Sequence, residues 1–253
     1  MTDTVITRIF ADETTAPDAS GTVDLNAAYS VAHRSTPTLR VNFVTSLDGS
    51  ATVNGVSGGL GGPADKLVFD TLRRLADVVL VGAGTVRDEG YGAMRLSDDD
   101  ASWRREHGLA EQPTFALVSG RLDLDPTSTV FTEAPVRPLV LTADSAPASN
   151  REALDRVADV ISCGTDSVDP ALIVSTLVAR KLTQILCEGG PSLFGSLIAA
   201  DLVDELCLTV SPLLEGGAGI RISHGSSPVP RSMRLVQVLE SGGLLLTRYA
   251  RLR

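Results

Sequence analysis

The chain has 253 residues, of which 43% are hydrophobic and 4% aromatic, and a formal net charge of −9. That length accommodates one large domain or two small ones, with a sizeable core built mostly of Leu, Val, Ile and Ala. The acidic balance argues against nucleic acid or an anionic membrane surface as the main partner, but not against an anionic cofactor held at a locally positive site.

In chain order, residues 1–36 read as an N-terminal extension peripheral to the rest. ADETTAPDASGT is polar and rich in turn formers, and LNAAYSVAHR has the character of a short helix. Residues 37–253 read as a single domain. TLRVNFV is its first strand and ends in the turn Ser46-Leu47-Asp48-Gly49. After the glycine-rich VSGGLGGP, Pro63 takes a first helical position, and Val68, Leu72 and Leu75 recur at helical spacing. DVVLVG is a fully apolar strand of the kind buried on both faces. It runs into LVGAGTVRDEGYGAMR, where a glycine-rich turn opens a helix. Residues 96–113 form a polar insertion, a loop with a short helix. TFALVS, PLVLT and VADVIS are further strands, and Asp169 with Pro170 starts an amphipathic helix. QILCEGG is a strand, PSLFGSLIAADL a helix with Pro191 at its start, and LVDELCLTV a strand. The tail RLVQVLESGGLLLTRYARL reads as two strands joined at Ser241-Gly242-Gly243. This alternation predicts an α/β fold: a mixed, mainly parallel sheet flanked by helices, with a C-terminal antiparallel hairpin. Ligands on such sheets bind at the carboxyl ends of the strands.

Two glycine turns fall at such ends. Gly82 and Gly84 let the backbone approach a ligand closely, and Thr85 is placed to cap a helix start. A helix N-terminus presents free N–H groups and partial positive charge, which suit a phosphate. LCEGGPSLFGSL repeats the arrangement, and two such turns point to a dinucleotide. The spacing is not GxGxxG, and the phosphate-loop Lys, the HxE and PCxxC deaminase signatures and the GxSxG nucleophile elbow are all missing. His33, His107 and His224 stand in polar contexts and read as surface residues. Cys163, Cys187 and Cys207 form no CxxC pair and read as small buried hydrophobes, which fits a reducing cytoplasm. No apolar run approaches the roughly 18 residues of a membrane span, and MTDTVITRIFADE lacks a signal-peptide pattern. A site with few titratable groups and two phosphate turns fits hydride transfer, in which a cofactor carries the chemistry.

VNFVTSLDGSATVNG, LRRLADVVLVGAGTVRDEGY and ILCEGGPSLFGSLIAADLVDELCLTVSPLLEGG together resemble the reductase domain of the bifunctional riboflavin-biosynthesis deaminase–reductase. They resemble more closely the stand-alone pyrimidine reductase-like proteins of actinobacteria. The resemblance covers roughly residues 38–253. It implies a dihydrofolate-reductase-like fold, NADPH, a cytoplasmic homodimer, and reduction of the ribosyl group of 5-amino-6-(5-phosphoribosylamino)uracil. By motif it places Gly82, Ala83, Gly84 and Thr85 on one side of the cofactor pyrophosphate. Gly189, Gly190, Pro191, Ser192 and Leu193 fall on the other side and at the nicotinamide edge. Ser119 and Arg121 match the position that meets the adenosine 2′-phosphate, where a cation favours NADPH. Asn42, Ser46, Asp48 and Gly49 match a substrate-side strand end. Glu89 and Glu188 match active-site acids, and Arg95 a basic residue that meets the substrate phosphate or sugar. Asp48 also reads as a turn residue and Glu188 as an acid near a helix start.

The chain departs from the family's pattern at Asn42, where a Lys is usual, and at DEGY, where Asp-Asp-Pro is usual. In GGPADK, Lys66 falls at an Arg position and Asp65 is extra. Asp65 reads either as an acid that pairs with an aminopyrimidine face through two hydrogen bonds, as in dihydrofolate reductases, or as a first-turn helix acid. The alternatives are therefore a dihydrofolate or pterin reductase, or a non-catalytic nucleotide- or flavin-binding homologue. The 96–113 insertion is expected beside the substrate acids, as a lid or an inert surface loop.

Overall fold

Hydrophobic strand segments occupy the middle of one ten-stranded sheet, ordered β1-β9-β10-β8-β2-β7-β3-β4-β5-β6. The computed structural model describes residues 4–12, 23–225 and 230–252. Residues 13–22, most of the polar stretch read as turn-rich, lie outside the described residues.

The strands are β1 (Thr7–Ala11), β2 (Thr38–Thr45), β3 (Val78–Gly82), β4 (Thr114–Val118), β5 (Leu139–Thr142), β6 (Asp159–Ser162), β7 (Gln184–Cys187), β8 (Glu205–Val210), β9 (Met233–Ser241) and β10 (Leu244–Arg251). The helices are α1 (Leu25–Tyr29), α2 (Pro63–Leu75), α3 (Ala83–Asp88), α4 (Asp98–Glu106), α5 (Thr129–Thr132), α6 (Ala148–Leu154), α7 (Pro170–Ala179) and α8 (Pro191–Ala199). From β8 through β2, β7, β3, β4 and β5 to β6 every neighbour pairs in parallel. β10 lies antiparallel between β8 and β9, which gives the expected C-terminal hairpin.

The central strands alternate side chains between two cores, as the two-residue period of a strand requires. Val79, Val81, Phe115, Leu117 and Leu186 meet Val68, Leu72 and Leu75 of α2 on one face. Val78, Leu80, Ala116, Ile185 and Cys187 meet Ile173 and Leu177 of α7 and Phe194 and Leu197 of α8 on the other. All three cysteines are buried and unpaired, and burial pushes the Cys187 thiol up to about 12 and that of Cys207 to about 11.

Two expectations are corrected. The described residues 4–12 and 23–36 are not peripheral, because β1 pairs along β9 and Tyr29 of α1 is 1% exposed, in the core shared with α2. A short strand with one alternation, TRIFA, gives too little pattern to be read from sequence. The 96–113 insertion is neither a lid nor an inert loop. Its helix α4 begins at a Ser97 cap and packs on α2 through the buried Arg104, whose guanidinium donates to the carbonyls of Arg74 and Ala76 at 2.7 and 2.6 Å. Those carbonyls lie just before β3, at the end of the sheet opposite the glycine turns.

Candidate active site at the carboxyl ends of the strands

β3 and β7 are direct neighbours, with Leu80 opposite Cys187, so their two glycine turns emerge side by side. The Gly82 N–H donates to the Gly189 carbonyl at 2.8 Å. Gly189 has φ +109°, a conformation glycine adopts without steric cost. A Cβ on Gly190 would lie 2.3 Å from the Thr85 hydroxyl oxygen, so the turns interlock closely and any larger residue there would have to displace the Thr85 side chain. Neither α3 nor α8 has a side-chain N-cap or an acid in its first turn. The four N–H groups at the start of an α-helix have no partner within it, so the first turn of α8 remains suited to an anion. Contrary to the expectation from sequence, Thr85 does not cap α3. Gly82 is the N-cap, and Thr85 is the third helical residue, with its hydroxyl set against Gly190.

The turns open on a cavity of about 640 Å³. It collects Asn42, Asp65, Lys66, Thr85, Glu89, Glu188, Gly190 and Pro191 of the expected site. Glu188 is not a free acid. Its side chain is 1% exposed, and Arg73 clamps it bidentately from α2, Nε to Oε1 at 2.6 Å and Nη2 to Oε2 at 2.7 Å. The Tyr91 hydroxyl donates to Oε2 at 3.0 Å. The Arg73 guanidinium lies 4.0 Å from the Phe69 ring centroid. Burial alone would lower the Arg73 pKa, but the Glu188 carboxylate holds it above the usual guanidinium range. Burial raises the Tyr91 pKa, and the Glu188 charge adds to that, so the phenol keeps its proton. Sequence reading missed both Arg73 and Tyr91. Arg73 reads as an ordinary basic residue in a last helical turn, and Tyr91 as one more residue of the DEGY departure from the family's pattern.

Glu89 reaches across the cavity, its Oε1 accepting from the Ser57 N–H at 2.9 Å. Asp65 is half-buried, and burial raises its pKa although a hydrogen bond from Thr209 opposes the rise. Four acids (Asp65, Asp88, Glu89 and Glu188) and two cations (Lys66 and Arg73) line the cavity. Arg73 is held by Glu188, and the Lys66 ammonium, 72% exposed, pairs with Asp70 at 2.7 Å.

Other expected residues fall outside the lining. Ser46 and Asp48 form a clamp: the Ser46 hydroxyl donates to Asp48, which also accepts from the N–H groups of Glu215 at 3.1 Å and Gly216 at 2.7 Å. The Ser46 hydrogen bond comes first, and these backbone donors follow, in holding the Asp48 carboxyl down at about 2. Gly49, with φ +91°, completes this turn. Arg95 is exposed and donates to the Glu133 carbonyl at 3.0 Å. Ser119 follows β4, one strand from the Gly82 turn, with Arg121 exposed beyond it. Ala83 and Leu193 point their side chains into the core, leaving their backbone to the turns, and Gly84 lies in the first turn of α3. Ser192 lies in the first turn of α8, its hydroxyl 2.9 Å from His224 Nε2. No cluster of metal-ligating side chains exists among the described residues.

A family model described as the RibD C-terminal domain matches residues 37–246. The 2,5-diamino-6-ribosylamino-4(3H)-pyrimidinone 5′-phosphate reductase of Archaeoglobus fulgidus is 27% identical over 182 residues, 72% of this chain and 83% of that protein. The riboflavin biosynthesis protein RibD of Mycobacterium tuberculosis H37Rv is 28% identical over 202 residues, 78% of this chain but 49% of that protein. A pyrimidine reductase-like protein from Corynebacterium diphtheriae superposes with a TM-score of 0.83 at 30% identity, covering 91% of this chain and 100% of that one. The deaminase/reductase of Thermotoga maritima shares the fold, with a TM-score of 0.64 at 19% identity, over 86% of this chain and 57% of that one.

Proposed function

The chain belongs to the RibD C-terminal domain family, and we propose that it is an NADPH-dependent reductase of a pyrimidine, of the 5-amino-6-(5-phosphoribosylamino)uracil reductase type. One observation carries this reading: two uncapped glycine turns interlock at neighbouring strand ends and open on a cavity walled by acids. NADPH, when bound, supplies the hydride. Gly82, Ala83, Gly84 and Thr85 would hold one side of its pyrophosphate, and Gly189, Gly190, Pro191, Ser192 and Leu193 the other. Ser119 and the exposed Arg121 stand one strand along for the 2′-phosphate.

On the substrate side, Asn42 and Glu89 face the heterocycle as hydrogen-bonding groups. Glu188 accepts three hydrogen bonds from Arg73 and Tyr91, so it orients the substrate through its remaining lone pairs. Reduction of a C=N bond takes up one proton with the hydride. Asp65, whose raised pKa keeps its proton to higher pH, is the wall residue suited to supply it. Arg95 follows the cavity-lining Met94 and is bonded to a carbonyl, so it carries the cation available to a substrate phosphate. Lys66, on the cavity wall and paired with Asp70 only at the exposed surface, is the second cation for that phosphate.

Asp65 also supports a second reading, reduction of dihydrofolate or a pterin. A half-buried carboxyl on the cavity wall is placed to pair with an amino-heterocycle. Steady-state NADPH oxidation tests the site. Asp65→Asn and Glu89→Gln are expected to lower turnover by about 10²-fold with NADPH affinity nearly unchanged. Equal loss of binding and turnover in both variants contradicts these roles.

A further inference from the structure

Ile220 and His224 lie on the connection between β8 and β9, and they meet opposite halves of the proposed site. Ile220 lines the cavity, and its carbonyl accepts from the Ala51 N–H at 2.7 Å. His224 docks on the first turn of α8, its N–H donating to the Pro191 carbonyl at 3.2 Å. Its own carbonyl oxygen lies 2.0 Å from where a Cβ on Gly195 would be, so the chain passes this close only over glycine. This docking sets the imidazole Nε2 2.9 Å from the Ser192 hydroxyl. A histidine that reads as ordinary surface in the sequence is thus fixed against a residue of the cofactor turn.

We propose that His224 is a positioning residue for the cofactor: it donates its Nε2–H to the Ser192 hydroxyl and so aims the serine's own proton at an anion bound by the first turn of α8. The proposal rests on the reading that NADPH occupies this turn. A serine hydroxyl has one proton and two lone pairs. If Ser192 donated to the imidazole, it would present lone pairs to the pyrophosphate, and the two would repel. When the imidazole donates, the serine proton is free for the phosphate oxygen. An anion at the turn therefore selects the donor polarity of His224.

The test is NADPH titration, followed by cofactor fluorescence, of the unaltered protein and of His224→Ala, His224→Gln, Ser192→Ala and the Ser192→Ala/His224→Ala double variant. Thermal unfolding of each is measured alongside. His224→Ala is expected to weaken NADPH about fivefold, the size of one hydrogen bond, and to raise its KM with kcat nearly unchanged. His224→Gln keeps an N–H donor and is expected to recover most of the affinity. With Ser192 already replaced by Ala, removing His224 is expected to change nothing further. Unchanged affinity in His224→Ala overturns the proposal while leaving the cofactor reading intact. So do independent, additive losses in the double variant, or a loss that falls with Tm and is not recovered by Gln. Absence of NADPH binding by the unaltered protein overturns the cofactor reading and the proposal together.

Discussion

Glu188 shows how much of the site is decided by single contacts. Its buried carboxylate is matched by two charge-assisted hydrogen bonds from Arg73 and a third hydrogen bond from Tyr91. Arg73→Ala leaves that charge without its cation and is expected to cost about 3 kcal/mol of stability, measured by urea unfolding. Arg73→Lys is expected to cost less, since one charged bond remains. Asp48 acts at an exposed turn, and its folded pKa of about 2 lies below the ordinary carboxylate value. Its contribution is therefore present above the ordinary value and lost as pH falls toward 2. Asp48→Asn is expected to abolish that acid-dependent loosening of the turn, read from the exchange rates of the Glu215 and Gly216 amides. For Asp65 the sign is reversed. Its pKa is raised by burial, so its contribution is present below the ordinary carboxylate value and lost as pH rises through the folded one, and Asp65→Asn is expected to remove this loss. The acids were legible in the sequence, because their motif positions are distinctive. Arg73 was not, since its partner lies 115 residues away and no local pattern marks the pair.

The interlocked glycine turns are the element on which the proposed cofactor binding depends. They were legible because a strand, two glycines and a helix start leave a local signature in both DVVLVGAGT and QILCEGGPS. Their contact was not, because adjacency of β3 and β7 is a property of sheet order, and nearly a hundred residues of other elements separate the two segments. Gly190→Ala places a methyl group against the Thr85 hydroxyl and is expected to weaken NADPH binding by more than ~10-fold, about 1.4 kcal/mol or more. Adding Thr85→Ala removes the oxygen in the way, so the double variant is expected to regain affinity relative to Gly190→Ala alone. A double variant as weak as the single one indicates that the glycine acts through its backbone and not through this contact. The substrate-side turn SLDG was assigned to ligand binding by motif, yet its carboxylate bonds to the backbone of the loop after β8. Asp-Gly is a turn signal before it is a functional one, and the turn is formed here.

The whole sheet accounts for what the N-terminal residues do. β1 covers the edge of β9, and α1 buries Tyr29 among α2 residues. A chain lacking residues 1–36 is expected to melt at lower temperature and to associate at high concentration, because an uncovered β9 edge pairs with other chains. Sedimentation velocity and thermal unfolding check this. The α/β class, the helices on both faces and the terminal hairpin were legible from alternation of strand and helix patterns. β1 was not, since five residues with mostly exposed side chains carry no burial period. The central claim, that this fold holds NADPH beside a pyrimidine, is tested most directly by NADPH oxidation with the ribosylaminouracil 5′-phosphate and with dihydrofolate in parallel. The expected result is turnover of the uracil compound that is weakened by Arg95→Ala. Turnover of dihydrofolate alone makes Asp65 the recognition residue and moves the assignment to pterin chemistry. NADPH binding without oxidation on either substrate contradicts the assignment as a reductase of these compounds.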